Sequence, residues 1–281
     1  MLTSPNYRGR MDASFGPADA STWIAVPGPH DDKYSRGVVG FVTGSARYPG
    51  AAVLGVEAAL RTGVGMVRYL GAGRPTRLVL QRRPEAVTTD GRVQSWVVGS
   101  GQDADDVDEL TAALRDRALA DPVPTVIDAG ALALAEDAAG ARVLVPHAGE
   151  LARLLGRERA EVEADAAGAA LDAAARLGSV VLLKGHTTHV ADADGGLLSV
   201  QSAPAWTATA GAGDALAGVL GALLATHALE LEADPGIAAP LAATAAVVHG
   251  LAAERASRGG PFTILDLCAE LPSVVRDLLT A

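Results

Sequence analysis

The sequence predicts an α/β fold: a doubly wound, mostly parallel sheet with helices on both faces. Short, continuous apolar segments such as VVLL, TVI, VLV and WVV recur along the chain, which is typical of strands buried on both faces. Helical patterns separate these segments, and strands that alternate with helices build parallel sheets. The chain has 281 residues, of which 49% are hydrophobic, enough to form a large core.

The individual elements are predicted from the same patterns. The predicted strands are GVVGFVT, VGMVRYL, WVVGSG, PTVIDAG, ARVLVP and SVVLLKG, and HVADADGGLLSV is predicted as a hairpin. Helices are predicted for PGAAVLGVEAALRTG, Asp103 to Leu119, Ala148 to Leu155, Arg159 to Leu177 and most of the chain after Gly211. The charge-free run from Pro235 to Ala253 contains two prolines, two glycines and a histidine, so we interpret it as a buried helix rather than a membrane span.

The first 33 residues differ from the rest of the chain. They are rich in Pro, Gly, Ser and Asp, so we predict an irregular N-terminal arm over residues 1–33 and a single domain over residues 34–281. Deletion of residues 1–30 is expected to leave a folded protein. Trp23 and Ile24 are the side chains of the arm most suited to packing on the core.

Composition excludes several classes of protein. The formal net charge of -10 argues against a nucleic-acid-binding surface or an anionic-membrane surface. The N-terminus lacks the basic-then-apolar order of a secretory signal. Cys268 is the one cysteine, so no internal disulfide can form, and its apolar neighbours predict a packed small side chain in a reducing compartment, the cytoplasm.

The candidate site residues follow the predicted strands. In doubly wound sheets, ligands bind beyond the carboxyl ends of the strands. The segments GSG (99–101), DAG (128–130), PHAGE (146–150) and KGHTT (184–188) each follow one of these strands. We therefore expect them to meet at one edge of the sheet.

The segment AGAGD ends in Asp214 at the start of an apolar helix. Glycines before a helix allow backbone N–H groups to approach a phosphate, and the helix dipole favours an anion there. Asp214 is then placed to accept a proton from a hydroxyl group near the transferred phosphoryl group. The alternative is a tight turn in which Asp214 stabilises only the helix start. The segment alone leaves both interpretations open.

The two other polar segments also have two interpretations. Lys184 ends an apolar strand and suits a nucleotide phosphate, but it also fits an ordinary solvated strand end. His147 suits a ligand contact and Glu150 suits Mg²⁺, directly or through water, but Glu150 also fits a helix start. His186 and His189 lie three residues apart on a predicted hairpin and face opposite sides, so we do not interpret them as a metal pair.

Taken together, these ordered segments resemble the ribokinase-like superfamily. More narrowly they resemble the ADP- or ATP-dependent NAD(P)H-hydrate dehydratases, which are related to carbohydrate kinases. The resemblance covers essentially residues 33–255. It rests on KYSRGVVGFVTGSARYPGAAVLGVEAALRTGVGMVRYL, WVVGSGQ, VIDAGAL, LVPHAGELARLL, VVLLKGHTTHVAD and AGAGDALAGVLGALLA.

The resemblance implies a reaction and a role for each matching residue. It implies that a nucleotide, ADP or ATP, phosphorylates the C6 hydroxyl of the (S)-6-hydrate of NADH or NADPH, and that phosphate elimination then restores the cofactor. It implies Mg²⁺, a homo-oligomer (a tetramer in the family) and a separate epimerase as partner. The implied roles are Asp214 as catalytic base and substrate contact; Gly211, Ala212 and Gly213 as anion hole; Lys184, Gly185, His186, Thr187, Thr188 and Gly213 as nucleotide-binding residues; Ala51, Gly101 and His147 as substrate-binding residues; and Glu150 as metal ligand.

The chain departs from the family pattern at several positions. Gly130 stands where the family has a second aspartate, which puts part of the metal or water positioning in doubt. Ala210 and Ala212 replace residues of the usual Gly-Gly-Thr-Gly-Asp, and Ala148 replaces the proline of His-Pro-Gly-Glu. The epimerase domain fused to many relatives is not expected in this sequence, because only about 33 residues precede the predicted domain.

Two other functions stay open from the sequence. A kinase of a small alcohol or vitamin precursor would share the anion hole and the base but would stop at the phosphate ester. A non-enzymatic nucleotide-binding protein would retain the fold without turnover, and Gly130 is the residue that favours it.

Overall fold

A computed structural model describes residues 13–104, 107–201 and 203–280. Within these ranges the strands belong to one mixed sheet. The strands are β1 (Ala13–Ser14), β2 (Val38–Val42), β3 (Met66–Tyr69), β4 (Ser95–Val98), β5 (Thr125–Ile127), β6 (Arg142–Leu144), β7 (Val180–Leu183), β8 (Thr188–Ala191) and β9 (Leu197–Val200). The helices are α1 (Pro17–Ser21), α2 (Gly50–Thr62), α3 (Gly73–Arg82), α4 (Glu109–Ala120), α5 (Ala148–Leu155), α6 (Arg159–Ala164), α7 (Ala166–Leu177), α8 (Ala212–Thr226), α9 (Ala228–Ala233), α10 (Ala238–Ser257) and α11 (Ile264–Leu278).

The strand order is β1-β9-β8-β7-β6-β5-β4-β2-β3. The pairs from β7 to β3 are parallel, and β8 runs antiparallel to both of its neighbours. This arrangement confirms the predicted doubly wound, mostly parallel sheet. The chain leaves β2 for β3 on one side and then returns to β4 on the other side, so the order reverses between β2 and β4. Such a switch point opens a crevice for ligands.

Each face of the sheet carries its own apolar layer. Val39 and Phe41 of β2 pack in the layer that contains α2, α8, α10 and α11. Val38 and Val42 alternate to the opposite face and pack with α4, α5 and α7. Because successive strand residues point to opposite faces, the strands of this doubly covered sheet are apolar throughout.

Helices α2 and α8 cross at two glycines. A Cβ atom built on Gly218 would lie 2.2 Å from the carbonyl oxygen of Gly55, so a side chain at position 218 would force the helices apart. The start of α8 carries Gly213 and Asp214. The close crossing therefore places the predicted anion hole and base at the switch-point edge of the sheet.

Most predicted elements are confirmed, with changes at their ends. Helix α5 has the predicted bounds. Helix α4 begins at Glu109 rather than Asp103, because the Asp108 carboxylate accepts the Thr111 N–H and caps the helix there. The predicted helix from Arg159 to Leu177 is divided at Asp165, whose side chain caps α7. Helix α3 was not among the predicted elements.

The predicted irregular arm is wrong for part of its length. Residues 1–12 lie outside the described residues, but β1 pairs in parallel with β9, and α1 follows it. Phe15, Ala20 and Trp23 are buried in the apolar layer, with exposed fractions of 2%, 0% and 6%. The arm lacks helical periodicity, yet these few apolar residues are enough to attach it. The single-domain boundary at residue 34 stays a prediction.

The apolar run near the C-terminus is a core helix. The helical segment Pro235–Ser257 is long and apolar enough to cross a membrane by composition, but 89% of its most apolar window is buried in the protein. This burial agrees with the prediction for Pro235 to Ala253. Cys268 on α11 is also fully buried, and burial raises the pKa of its thiol to about 12.

A buried carboxylate joins α2 to α3. The Glu57 side chain is fully buried and lies 2.6 Å from Nε of Arg61, 3.1 Å from Nε of Arg82 and 2.5 Å from Nε of Arg83. Burial favours the protonated acid, but the three guanidinium groups outweigh this effect and lower the pKa of Glu57 to about 2. Glu57 is therefore ionised at neutral pH and holds the two helices together.

Candidate functional site

Polar residues follow the parallel strands at one edge of the sheet. Ser100 follows β4, Asp128 follows β5, and His147 and Lys184 follow β6 and β7. The backbone N–H of Lys184 donates to the carbonyl of Pro146 at 2.9 Å, so the strands stay paired up to this edge. The four predicted strand-end segments therefore meet there.

The start of α8 faces this edge. Gly211 caps the helix with φ +97°, a left-handed conformation that favours glycine. A Cβ atom on Gly213 would lie 3.3 Å from Lys184 Nζ, so the ammonium group approaches the backbone of the loop directly. The glycine-rich start of α8 thus lies beside a cation, which suits an anion, although the Ala212 N–H already donates to the Thr209 carbonyl at 3.2 Å.

The Lys184 ammonium group is surrounded by carboxylates. Its Nζ atom lies 2.9 Å from Asp128 Oδ1 and 3.9 Å from Glu150 Oε2. Burial alone would lower the pKa of Lys184, but the charges of Asp128 and Glu150 outweigh burial and raise it. Lys184 is therefore a fixed cation, not the solvated strand end that the sequence left open.

Asp214 lies in the first turn of α8 with a strongly perturbed carboxyl group. Burial, together with the negative charge of Asp128, raises its pKa to about 7, and the Lys184 charge opposes the shift only partly. A carboxyl group with a pKa near the working pH is suited to exchange protons with a substrate. A residue that only stabilised a helix start would keep a low pKa, because the helix dipole favours its ionised form.

His147 and Glu150 form a reciprocal cap at the start of α5. His147 Nδ1 accepts the N–H groups of Gly149 and Glu150, at 3.0 and 3.2 Å, and Glu150 Oε2 accepts the His147 N–H at 2.8 Å. Because Nδ1 is an acceptor, the neutral imidazole of His147 carries its proton on Nε2. This geometry fixes both side chains next to Lys184.

The proposed nucleotide-binding loop borders a cavity of about 560 Å³. His147, Arg159 and the loop from Lys184 to Thr187 line this cavity. Thr187 Oγ1 accepts a hydrogen bond from Gln201 Nε2 at 2.8 Å, which ties the loop to the segment that leads to the anion hole. Thr188 begins β8.

Ala51 and Gly101 meet at the switch point between β2 and β4. A Cβ atom on Gly101 would lie 2.4 Å from Ala51 Cβ, and Gly101 has φ +68°. The backbone N–H of Gly44 donates to the Ser100 carbonyl at 2.7 Å and joins the two strand ends. The structure therefore brings these two predicted substrate-binding residues into contact.

His186 and His189 have different surroundings. His186 is exposed, whereas His189 Nδ1 lies 3.1 Å from Ser199 Oγ. Among residues 13–104, 107–201 and 203–280, no group of three His, Cys, Asp or Glu side chains is arranged to hold a metal ion. Glu150, the predicted metal ligand, takes part in the α5 cap and lies 3.9 Å from Lys184 Nζ.

Asp128, Ser100 and His249 were given no individual role from the sequence, although Asp128 and Ser100 lie in two of the predicted strand-end segments. Asp128 is 3% exposed and its Oδ2 atom accepts the Ser100 hydroxyl at 2.8 Å. His249 of α10 lies against the backbone of Ala212, and burial lowers its pKa to about 4, so it is neutral. The position of Asp128 directly after a buried strand was the available sequence signal. Ser100 carries the same signal, since it lies in the GSG segment after β4, whereas none marks His249.

A second cavity, of about 400 Å³, lies beside Glu150 and is lined in part by Gly130, Asp103 and Arg153. Gly130 stands where the family pattern has an aspartate. A Cβ atom built there would lie 2.4 Å from the carbonyl oxygen of Gln102, so this backbone accepts only glycine without a shift.

The fold and the site define a class of protein, the ribokinase-like α/β proteins with an aspartate after a glycine-rich helix start. A family model described as NAD(P)H-hydrate dehydratase matches residues 39–267. The chain therefore belongs to the NAD(P)H-hydrate dehydratase family.

Similar proteins agree with this assignment. The chain is 43% identical over 224 residues to a bifunctional NAD(P)H-hydrate repair enzyme of Mycobacterium tuberculosis, covering 75% of the chain and 46% of the relative. It is 38% identical over 218 residues to an ADP-dependent (S)-NAD(P)H-hydrate dehydratase of Xanthomonas campestris, covering 69% and 74%. The chain spans about half the length of several bifunctional relatives that it matches.

A solved structure shares the fold over nearly the whole chain. The ADP/ATP-dependent NAD(P)H-hydrate dehydratase of Bacillus subtilis, co-crystallised with ATP and Mg²⁺, superposes with a TM-score of 0.83 and 25% sequence identity. The superposition covers 94% of this chain and 98% of the other. A ribokinase-like superfamily protein of Enterococcus faecalis superposes with a TM-score of 0.81, which confirms the ribokinase-like fold.

Proposed function

We propose that this chain uses ADP or ATP to dehydrate the (S)-6-hydrate of NADH or NADPH, a carbon–oxygen lyase reaction. The observation that supports it best is the Asp214 carboxyl group, with a pKa of about 7, one residue after Gly213 and beside the Lys184 cation. Membership of the NAD(P)H-hydrate dehydratase family supports the choice of substrate. The relatives named as ADP-dependent dehydratases support the nucleotide.

The proposed reaction has two steps. Asp214 accepts the proton of the C6 hydroxyl as its oxygen attacks the terminal phosphorus of ADP, giving a phosphate ester and AMP. The C6–O bond then breaks, phosphate leaves, and loss of a proton from C5 forms the C5=C6 double bond. The net reaction converts hydrate and ADP to reduced cofactor, AMP and phosphate. With ATP the leaving nucleotide is ADP.

The anion hole and the adjacent loop would bind the nucleotide. Gly211 to Gly213 would form the anion hole for the transferred phosphate at the start of α8, and Lys184 would neutralise part of its charge. Gly185, His186, Thr187 and Thr188 would line the rest of the nucleotide site. Ala51, Gly101 and His147 would contact the hydrated dinucleotide, with the crevice between β2 and β4 as its entry.

The site fits Mg²⁺ that arrives with the nucleotide. The carboxylates of Asp128, Glu150 and Asp214 surround a single ammonium group, so a polyphosphate needs further positive charge there. Mg²⁺ commonly keeps several waters and binds through phosphates and one or two carboxylates. Glu150, 13% exposed, would hold it through water, and the ion would supply electrostatic stabilisation of the phosphates.

Incubation of the purified chain with hydrated NADH plus ADP, ATP or neither tests this proposal. We expect reduced-nicotinamide absorbance to return only with a nucleotide, together with AMP or ADP. A stable phosphorylated alcohol without restored absorbance would indicate a kinase instead. Nucleotide binding without turnover would indicate a binding protein. We also place this activity in the cytoplasm, in a homo-oligomer that works with a separate epimerase.

A further inference from the structure

Asp128 is held more rigidly than any role assigned so far requires. It is 3% exposed, and both carboxylate oxygens are hydrogen-bonded, Oδ1 by Lys184 and Oδ2 by Ser100. Its backbone N–H donates to Val98 at 3.1 Å, and its carbonyl accepts from Ala131 at 3.0 Å. A buried carboxylate whose side-chain oxygens and backbone groups are all hydrogen-bonded is suited to orient another charged group.

The group that Asp128 orients is the Lys184 ammonium. Nζ lies 2.9 Å from Asp128 Oδ1 and 3.3 Å from the position that a Cβ atom on Gly213 would occupy. In the part of the chain that the structure describes, Lys184 makes ion pairs within 4.0 Å with Asp128 and Glu150, and none with Asp214. The Lys184 ammonium group therefore lies at the anion hole and makes no ion pair with Asp214.

This separation matters for a general base. A lysine side chain has several rotatable bonds, so an unrestrained ammonium group near Asp214 would pair with that carboxylate. Such a pair stabilises the ionised form and makes the carboxylate a weaker base. It would also remove the cation from the phosphate.

We propose that Asp128 is a positioning residue that holds the Lys184 ammonium at the anion hole and prevents it from pairing with Asp214. This proposal rests on the proposed function, in which Asp214 is the base. In this role Asp128 acts through Lys184 rather than by contact with a ligand, and its charge also helps to raise the pKa of Asp214.

Ser100 completes the arrangement. Its hydroxyl occupies Oδ2 of Asp128, which leaves Oδ1 directed at Lys184. The adjacent Gly99 permits this contact, since a Cβ atom there would lie 2.1 Å from the Asp128 carbonyl oxygen. Loss of the Ser100 hydroxyl should therefore act in the same direction as loss of the Asp128 charge, but more weakly.

A double-mutant cycle between Asp128→Asn and Lys184→Met tests the proposal, because coupled residues give non-additive effects. The kcat is expressed per nucleotide-binding site, and these sites are counted by calorimetric titration with ADP. Misfolded protein therefore does not lower the measured kcat. We expect Asp128→Asn to lower kcat about 10–100-fold and to weaken ADP binding in the same direction as Lys184→Met, because the cation leaves the anion hole. In the Asp128→Asn background, Lys184→Met should then lower kcat by much less than it does in the wild type.

The control is Asp172→Asn, which removes a half-exposed carboxylate paired with Arg157 on the outer face of α7 and should leave kcat unchanged. Additive effects of Asp128→Asn and Lys184→Met, or wild-type kcat in Asp128→Asn, would overturn the proposal. If Asp128→Asn does not fold, Ser100→Ala replaces it in the same cycle. The expected loss is then about 3–10-fold, again coupled to Lys184.

Failure of the proposed function would look different. The wild type would then bind ADP without turning over hydrated NADH, and the cycle would be measured in ADP dissociation constants. Coupling between positions 128 and 184 would still support the positioning of Lys184. Additivity in those constants would overturn it.

Discussion

Gly130 and Gln102 approach so closely that no side chain fits between them. A Cβ atom on Gly130 would lie 2.4 Å from the backbone carbonyl oxygen of Gln102. Gln102 directly follows Gly101, the residue that contacts Ala51 at the switch point. The departure from the family pattern at position 130 is therefore built into the backbone of the candidate substrate site.

Gly130→Ala should destabilise the protein and disturb the substrate side of the site. The added methyl group must displace the backbone near Gln102, and overpacking of this kind costs about 1–3 kcal/mol. The Michaelis constant for the hydrate should rise while that for ADP changes little. Gly50→Ala is the matched control, because a Cβ atom at Gly50 meets nothing within 4 Å. Equal melting temperatures for the two variants would contradict this expectation.

Asp214→Asn should lower kcat by roughly 10²–10⁴ while the protein stays folded, because the variant keeps the shape of the side chain and loses the basic oxygen. Its stability should hold or rise. The pKa of Asp214 is raised from 3.8 to about 7 in the folded state, so its ionisation destabilises the fold as the pH rises through this range. The melting temperature of the variant, relative to that of the wild type, should therefore rise as the pH increases from 4 to 7. Near-normal turnover would remove Asp214 from the mechanism.

The pH profile of kcat/KM should have an acid limb with its midpoint near pH 7. The base works in its ionised form, and the pKa of Asp214 is raised to about 7 by burial and by Asp128, so activity falls about tenfold per pH unit below that point. The His186→Gln variant should retain the acid limb. This result would show that the limb does not come from the exposed imidazole of the nucleotide loop. A limb near pH 4 would show that an ordinary carboxyl group controls the rate.

The sequence predicted the sheet and the meeting of its strand-end segments at one edge, and physical reasons explain why. Fully buried strands must be apolar on both faces, so β2, β4, β5 and β7 are visible as continuous apolar runs. Residues after such strands share one edge, which is why the segments that contain Asp128, His147 and Lys184 could be placed together. The role of Asp214 could not be decided from its own segment, because an aspartate that only stabilises a helix start and one that acts as a buried base can occur in the same sequence.

Contacts between distant segments could not be predicted. Ser100 and Asp128 are 28 positions apart, and their hydrogen bond depends on how closely β4 and β5 end. The prediction for the α1 region was wrong for a related reason. Phe15 and Trp23 form no periodic pattern, so local composition indicated a loop, whereas tertiary packing decides their burial.

Glu57→Gln should destabilise the protein strongly at neutral pH. The variant leaves three guanidinium groups around a neutral side chain, and breaking a buried ion pair costs about 3–5 kcal/mol. The pKa of Glu57 is lowered from 4.5 to about 2, so its stabilising effect is complete above pH 4.5 and is lost as the pH falls toward 2. Thermal unfolding should therefore show a wide gap between variant and wild type at pH 7 and a narrow one near pH 2.

The control for this prediction is Glu85→Gln. Its side chain is 50% exposed and, among the described residues, its ion pair is with Arg83 alone, at 3.3 Å. Exposed pairs contribute about 0–1 kcal/mol, so its melting temperature should stay close to that of the wild type. A Glu57→Gln variant as stable as Glu85→Gln would show that the three arginines do not depend on the buried charge.

Removal of residues 1–30 should destabilise the protein, contrary to the expectation from sequence. The deletion exposes the core surface that Phe15 and Trp23 cover, and loss of one large buried aromatic side chain costs about 3–5 kcal/mol. It also removes β1, so β9 becomes an edge strand with unpaired backbone groups, which promotes association between chains. We expect a melting temperature more than about 10 °C lower and increased aggregation on heating. Phe15→Ala should reproduce much of the loss, whereas Val26→Ala, at a residue that is 66% exposed, should not. If the truncated chain has the same melting temperature as the wild type, β1 and α1 add nothing to the stability of the sheet.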